Sequence, residues 1–193
     1  GKSLFMCHVA SSMLTQGRNV LYITLEMAEE RIAERIDANL LDCTIDELYE
    51  MPKKYYDDKI KKMQSKVQGQ LIIKEYPTAA AHSGHFKALI DELALKKSFK
   101  PDIVFIDYLN ICSSSRFRGG NISSYFYVKA IAEELRGLAV QYDVPIVSAT
   151  QTTRSGYLSS DVGLEDTSES FGLPATADFM FALISNDELE ELG

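Results

Sequence analysis

Short apolar runs alternate with longer, partly polar segments along most of the chain. The runs are rich in β-branched and aromatic side chains, which is typical of strands that are buried on both faces of a parallel sheet. The predicted strands are residues 20–25, 71–76, 103–106, 145–149 and 179–184. The apolar positions therefore predict a β-sheet at the centre of the fold.

The segments between these runs carry apolar residues at helical spacing. In one of them Ile32, Ile36 and Leu40 recur every four residues and mark a single buried helix face. The predicted helices are residues 4–17, ending at Gly17, and residues 28–41, 55–67, 86–97 and 123–142. The segment 55–67 is strongly polar, so we expect a solvated helix there. Strands that alternate with helices predict an α/β fold with a mainly parallel sheet, right-handed crossovers and helices on both faces.

Length and composition are those of one globular domain. The chain has 193 residues, of which 46% are hydrophobic and 25% are charged. No repeat or low-complexity linker divides it, so we expect a single domain over residues 1–193, with the charged stretch 53–66 as a surface elaboration. No apolar run approaches the roughly 18 residues of a membrane span. The chain begins without an initiator Met, and we expect an upstream segment to be missing.

Net charge and cysteine content indicate which binding partners and which cellular compartment to expect. The net charge of -8 argues against binding duplex DNA through a basic surface, although it leaves room for local basic loops. The cysteines Cys7, Cys43 and Cys112 are odd in number and lack CxxC spacing, so we interpret them as reduced thiols of a cytoplasmic protein. His82 and His85 are too few for a zinc site.

The first three residues match the second half of a phosphate-binding loop. Gly1-Lys2-Ser3 fits the end of the pattern GxxxxGK[ST] and opens an apolar helix. In such loops the backbone amides at the helix N-terminus surround the phosphates, the Lys meets the β and γ phosphates, and the Ser binds Mg²⁺. Three residues alone are common by chance, so this motif gains weight only from the residues that accompany it.

Polar side chains follow three of the apolar runs. Glu26 follows the first run, Asp107 the third and Gln151 the fourth. Because parallel strands end at one edge of a sheet, we expect these side chains to gather there with Lys2 and Ser3. Asp107 stands where the acid of a Walker B motif holds Mg²⁺ or its water shell. Glu26 alone also fits a first-turn helix charge, but the combination predicts an ATPase that uses ATP and Mg²⁺.

The same stretches resemble the RecA-like motor domain of DnaB-family replicative helicases, most closely those of T4-type phages. LEM with Arg35 on the next helix, and IDYL around Asp107, are specific to this helicase branch, whereas GKS is not. The matching text is GKS at 1–3, LYITLEMAEERIAER at 21–35, IVFIDYLNI at 103–111, VKAIAEELRGLAVQYDVPIVSATQ at 128–151 and ESFGLPATADFMFALI at 169–184. The resemblance thus covers nearly the whole chain.

The resemblance implies a role for each matching strand-end residue. Glu26 matches the catalytic glutamate that orients and deprotonates the attacking water, Asp107 the Walker B acid, and Gln151 the glutamine that senses the γ-phosphate. It also implies a ring-shaped homo-hexamer with ATP at the subunit boundary, an arginine from the next subunit, and a primase and a helicase loader as partners. The domain is then truncated at both ends, beginning inside the Walker A motif.

The resemblance further implies a loop that grips single-stranded DNA inside the ring. Residues 166–172 match this loop, and Glu169, Ser170 and Gly172 are its candidate contacts. Many relatives carry Arg where this chain has Ser168, and Pro174 and Ala175 replace a Glu-Gln pair. The DNA contacts are therefore expected to depend more on backbone amides than on charge.

Three arginines are further candidates for DNA contact. Arg116 and Arg118, beside Gly119-Gly120, form a basic loop that fits either DNA binding or an ordinary surface. Arg154 coincides with a basic residue in the loop after Gln151 and fits a phosphate contact, a contact to the neighbouring subunit, or a solvated charge.

The leading interpretation is a hexameric helicase motor that moves along single-stranded DNA and unwinds duplex. The main alternative is a RecA-like recombinase or a KaiC-like switch ATPase without unwinding activity, and a third is a degenerate assembly module that only binds ATP. LEM and IDYL favour the helicase, and the acid at Glu26 argues against degeneration.

Overall fold

The computed structural model of the protein describes residues 1–65, 67–117, 122–151 and 172–184. Four strands form one sheet in the order β2-β1-β3-β4, and every neighbouring pair is parallel. They are β1 (Val20–Thr24), β2 (Leu71–Glu75), β3 (Ile103–Asp107) and β4 (Ile146–Ser148). The predicted α/β fold with a parallel sheet is confirmed.

Seven α-helices connect and cover the strands within the described residues. They are α1 (Lys2–Thr15), α2 (Glu29–Leu40), α3 (Ile45–Glu50), α4 (Lys53–Gln64), α5 (Ser83–Lys97), α6 (Ser124–Tyr142) and α7 (Gly172–Thr176), with a 3₁₀ turn at Leu109–Ile111 after β3. None of the helices in this part of the chain is both long and apolar enough to pass through a bilayer.

The two central strands have both faces covered. Every residue of β1 and β3 is buried. Val20 and Tyr22 face a cluster that includes Met6 of α1 and Ile32 of α2, and the alternate residues of β1 face a cluster built from α5 and α6. Because a strand alternates its side chains between two faces, this double coverage explains why β1 appears as a continuous apolar run.

Local signals explain where several helices begin and end. Gly17 follows α1 with a φ of 78°, the left-handed conformation that favours glycine, so the predicted end of this helix is confirmed. The segment between α2 and α4 holds the additional helix α3, which starts with a capping box between Thr44 and Glu47. Helix α4 has no buried residue, as expected of a solvated helix.

The predicted last strand is wrong. The structure assigns no strand to residues 179–184, and the side chains of Phe179, Phe181, Leu183 and Ile184 are exposed. The ring of Phe181 instead packs edge-on against Phe5 of α1, with 5.1 Å between ring centres. Apolar composition alone does not make a strand, because a strand also needs a neighbour with which to exchange backbone hydrogen bonds.

Candidate active site

The strand ends of the sheet bring the predicted strand-end residues to one edge. Thr24 at the end of β1 lies opposite Asp107 at the end of β3, and Ile106 lies opposite Ser148 of β4. Glu26 follows β1 by two residues and Gln151 follows β4 by three. The carboxyl edge of three neighbouring strands therefore carries the carboxylates of Glu26 and Asp107 and the amide of Gln151.

Asp107 is fully buried, and its two oxygens have different surroundings. Its Oδ2 accepts a hydrogen bond from the hydroxyl of Tyr22 at 3.0 Å. Its Oδ1 is buried and has no hydrogen-bond partner among the described residues. An unpaired buried carboxylate oxygen is costly unless a cation compensates it, and such oxygens are the ligands that Mg²⁺ prefers. The residues at this site therefore fit a divalent cation.

Tyr22 is a site residue that sequence reasoning missed, since a tyrosine inside an apolar strand looks like core. Its ring is fully buried and stacks on Phe105, with ring centres 5.6 Å apart. The thiol of Cys7 on α1 donates to its hydroxyl at 3.9 Å. Burial, and then the neighbouring Cys7 and Asp107, raise the pKa of Tyr22 well above its ordinary value. The phenol therefore stays protonated and acts as a donor to Asp107.

The first turn of α1 points toward the residue that follows Asp107. Gly1 is the N-cap of α1, and its carbonyl accepts the first helical hydrogen bond from Phe5 at 3.0 Å. The first amides of a helix have no partner within the helix, which makes this end suited to anions. The Nζ atom of Lys2 lies 5.0 Å from the centre of the Tyr108 ring, and the next residue, Ser3, is half-buried.

Tyr108 also contacts Gln151 and lies near two carboxylates. The Nε2 of Gln151 donates to the Tyr108 hydroxyl at 3.4 Å. Burial raises the pKa of Tyr108, and the nearby carboxylates of Glu26 and Asp107 raise it further. Lys2, Glu26 and Gln151 therefore lie around Tyr108, which the sequence indicates only as part of the IDYL motif.

A tight turn carries Glu26 from the end of β1 into solvent. The Thr24 hydroxyl accepts from the amide of Met27 at 3.1 Å and donates to its carbonyl at 2.8 Å. The Thr78 hydroxyl donates to the carbonyl of Leu25 at 2.7 Å. The backbone on both sides of Glu26 is therefore fixed, while its exposed carboxylate is open to water.

The segments after β3 and β4 are joined to each other. The amide of Leu109 donates to the carbonyl of Ala149 at 3.1 Å, and the Thr150 hydroxyl donates to Oδ1 of Asn110 at 2.8 Å. These bonds fix the residues that precede Gln151 against the residues that follow Asp107.

The segment after the 3₁₀ turn is anchored on Glu134 of α6. The carboxylate accepts from the hydroxyls of Ser83, Ser114 and Ser115 at 2.6–2.8 Å and from the amide of Ser115 at 3.0 Å. Burial opposes its charge, but these hydrogen bonds prevail and lower the pKa of Glu134 to about 2. No sequence motif indicated this anchor, because a glutamate inside a helix ordinarily faces solvent.

The remaining candidate residues are only partly placed. Arg116 pairs with Glu133 of α6, and Gly172 begins α7. The candidates Arg118, Arg154, Glu169 and Ser170 lie outside the described residues. The two histidines cap the start of α5, since the amide of Gly84 donates to Nδ1 of His82 and the amide of His82 donates to Nδ1 of His85.

Relatives with similar sequences are replicative helicases. The chain is 49% identical over 192 residues to a DnaB-like replicative helicase of Enterobacteria phage T4, covering 98% of this chain and 40% of that protein. It is 30% identical over 156 residues to a probable plasmid replicative DNA helicase of Chlamydia psittaci, covering 80% and 33%. It is 26% identical over 189 residues to the replicative DNA helicase DnaB of Helicobacter pylori strain J99, covering 95% and 37%.

Two solved structures share the fold of this chain. A DnaB-like replicative helicase superposes with a TM-score of 0.71 at 19% identity, over 91% of this chain and 42% of that one. A solved ATPase domain superposes with a TM-score of 0.72 at 20% identity, over 91% and 62%. The RecA-like P-loop core expected from the resemblance is thereby confirmed.

The chain corresponds to one part of each of these relatives. It spans 33–40% of the length of the helicases just named. The family model for the DnaB-like helicase C-terminal domain matches residues 1–191. The chain therefore belongs to the DnaB-like helicase C-terminal domain family, as its motifs indicated.

Proposed function

We propose that this chain is the ATP-hydrolysing motor of a replicative DNA helicase, which moves along single-stranded DNA and unwinds duplex as a ring-shaped homo-hexamer. The observation that carries the proposal is the contact of Lys2 and Gln151 with Tyr108 at the carboxyl edge of the sheet, where Asp107 ends β3 and Glu26 follows β1. The 49% identity to the T4 replicative helicase supports the helicase over a recombinase or a KaiC-like switch.

Nucleotide binding is assigned to the start of α1. Gly1, Lys2 and the free amides of the first turn hold the phosphates, and the lysine charge offsets theirs. Asp107, through its unpaired Oδ1, and Ser3 are the groups that hold Mg²⁺. The cation supplies charge neutralisation on the phosphates when it is bound.

Hydrolysis is assigned to Glu26. Its carboxylate is exposed at the end of β1 on a turn fixed by Thr24 and Thr78, so it can orient a water molecule and accept its proton. Gln151 is assigned to sensing the γ-phosphate. Its contact with the Tyr108 hydroxyl supports this role, because it links the amide to the residue that also contacts Lys2.

DNA binding is assigned to the loops that the family resemblance indicates. The candidate contacts are Arg116, Arg118, Arg154, Glu169, Ser170 and Gly172. A chain of net charge -8 has little general attraction for DNA, so the grip must be local and must depend partly on backbone amides.

We propose a primase and a helicase loader as partners. The interactions of the solved DnaB-like replicative helicase with primase support the first of these, and the loader is proposed from the family resemblance alone. The T4 relative supports a phage origin, with the host cytoplasm as the site of action.

The test is the ATPase rate of the full-length protein with and without single-stranded DNA, followed by strand separation on a forked duplex. Glu26→Gln is the control, since it keeps the shape of the side chain and removes the base. We expect DNA-stimulated turnover and unwinding that both disappear in Glu26→Gln, while nucleotide binding is kept. An ATPase rate that DNA does not change would favour the switch ATPase, and DNA-stimulated turnover without unwinding would favour the recombinase.

A further inference from the structure

We propose that Tyr22 is a positioning residue for the divalent cation, which holds Asp107 so that only Oδ1 is offered to the metal. The inference rests on the proposed ATPase function. Its basis is the unequal surroundings of the two carboxylate oxygens: Oδ2 is occupied by the Tyr22 hydroxyl at 3.0 Å, and Oδ1 is buried without a partner in the described part of the chain.

The phenol is fixed in a way that a flexible donor would not be. Tyr22 lies in the middle of β1, which has β2 on one side and β3 on the other, and its side chain is fully buried. Its ring stacks on Phe105, the residue directly opposite it in β3. Because the ring cannot tilt without disturbing this stack, the hydroxyl defines where Oδ2 sits and therefore how the carboxylate is rotated.

Cys7 fixes the direction of the phenol proton. Its thiol donates to the Tyr22 oxygen at 3.9 Å, which leaves the Tyr22 proton to point at Asp107. Cys7 is itself restrained, since the Ser11 hydroxyl donates to its carbonyl at 2.9 Å. The hydrogen bonds from Cys7 to Tyr22 to Asp107 therefore all run in one direction.

Helix α1 and two hydrogen bonds connect the two groups that we assign to Mg²⁺. Ser3 and Cys7 are four residues apart on α1, which places them on the same face of the helix. The thiol of Cys7 contacts Tyr22, which in turn donates to Asp107, so Ser3 lies on the helix whose buried face contacts the Tyr22–Asp107 pair. Such indirect contacts orient ligands and tune metal affinity.

A purely structural role for Tyr22 predicts a different result. If the phenol only satisfied a buried carboxylate, its loss would lower stability and leave the cation dependence of nucleotide binding unchanged. A positioning role instead predicts weaker cation binding in a protein that remains folded. The two roles are therefore separated by a titration rather than by an activity.

The experiment compares Tyr22→Phe with Tyr56→Phe in the full-length protein. Tyr56 is a matched control because its hydroxyl donates to Oδ2 of Asp37 at 2.7 Å in a different part of the fold. Binding of a fluorescent ATP analogue is measured against Mg²⁺ and, separately, Mn²⁺ concentration, after thermal unfolding has shown that each variant is folded. We expect the half-saturating cation concentration to rise roughly tenfold in Tyr22→Phe and to stay at the native value in Tyr56→Phe.

A second variant keeps the inference testable if Tyr22→Phe does not fold. Cys7→Ala keeps the Tyr22–Asp107 hydrogen bond and removes only the thiol that donates to the phenol oxygen, so we expect a smaller shift of the same sign. An unchanged cation dependence in a folded Tyr22→Phe, or in Cys7→Ala if only that variant folds, overturns the inference while leaving the ATPase proposal intact. Native nucleotide binding that does not depend on a divalent cation also overturns the inference, whereas the ATPase proposal is overturned only by the absence of turnover.

Discussion

The ammonium group of Lys2 lies over the face of the Tyr108 ring, 5.0 Å from its centre. An aromatic face attracts a partly exposed cation by only about 0.5–1 kcal/mol, which is much less than the attraction of a phosphate at close range. Tyr108 therefore holds the lysine near the helix end without competing strongly with a nucleotide. The same tyrosine contacts Gln151 through its hydroxyl, so its ring and its hydroxyl serve different neighbours.

The double contact of Tyr108 predicts that two substitutions have different effects. Tyr108→Phe keeps the ring beneath Lys2 and removes the hydroxyl that Gln151 contacts. We expect nucleotide affinity to change less than about twofold, while the stimulation of turnover by DNA falls several-fold, as a loss of about 1 kcal/mol implies. Tyr108→Leu should also raise the KM for ATP. Equal effects of the two substitutions on the KM for ATP would contradict this division, since both remove the hydroxyl and only Tyr108→Leu removes the ring.

The unpaired oxygen of Asp107 predicts a gain of stability at the expense of activity. Asp107→Asn removes a buried charge and keeps an oxygen that accepts from Tyr22. We expect the free energy of unfolding to rise by about 1 kcal/mol, because an unpaired buried charge costs more than an amide does. Turnover should be lost. Urea unfolding in the absence of divalent cations measures the first effect and an ATPase assay the second.

Asp91→Asn is the matched control for that experiment. The Asp91 carboxylate accepts from Lys87 and from the hydroxyl of Tyr142, so neither of its oxygens resembles the unpaired Oδ1 of Asp107. We expect no gain of stability in this variant and no loss of turnover. A comparable gain in both variants would show that the effect at Asp107 is a general consequence of removing negative charge.

The low pKa of Glu134 predicts a pH-dependent contribution to stability. The folded pKa is about 2, below the ordinary value of 4.5, so the folded state binds fewer protons between these values. This stabilisation is fully present above about pH 4.5 and is lost as the pH falls toward 2. We expect Glu134→Gln to lose about 1–2 kcal/mol at pH 7, given the partial exposure of the carboxylate, and less at pH 3.

Urea unfolding at pH 7, 5 and 3 measures this difference. Glu133→Gln provides the comparison on the same helix, because Glu133 forms ion pairs with Arg116 and Lys129 at the surface. We expect a much smaller change there, with little dependence on pH. An equal loss of unfolding free energy in the two variants at every pH would contradict a specific stabilising contribution from the four hydrogen bonds at Glu134.

The three cysteines should differ in their rates of alkylation. Burial raises the pKa of Cys7 to about 11 and that of Cys112 to about 12, whereas Cys43 is only half-buried. Because the thiolate is the reactive form, iodoacetamide at pH 8 should modify Cys43 first in the native protein. Peptide mass spectrometry over time measures the order. Rapid modification of Cys7 would contradict the buried contact between its thiol and Tyr22.

The strand-end residues were predictable because their chemistry departs from the run that precedes them. An acid directly after the apolar residues 103–106 is conspicuous in the sequence, and the parallel sheet then brings Asp107 and Glu26 to one edge. Their place at one edge needs only parallel strand direction, which alternating strands and helices indicate. The order β2-β1-β3-β4 was not predicted.

The contacts of Tyr22 and Glu134 were not predictable in the same way. Whether Tyr22 faces Asp107 depends on the register of β1 against β3, and a shift of one residue would turn its side chain to the other face. Glu134 meets three serines from two segments that are distant in sequence, Ser83 on α5 and the pair after the 3₁₀ turn. At residues 179–184 the sequence predicted too much: their apolar pattern indicated a strand, and the structure assigns none there.

Helix α4 is suited to the attachment of a fluorescent label. It contributes no buried side chain, yet the Tyr56 hydroxyl holds it to Asp37 of α2, which packs on the core. A cysteine introduced at the exposed Lys61, after replacement of the half-buried Cys43, would accept a fluorophore without touching the nucleotide edge of the sheet. In the proposed hexamer, single-molecule energy transfer between such labels on different subunits would then test whether the subunits rearrange during ATP turnover.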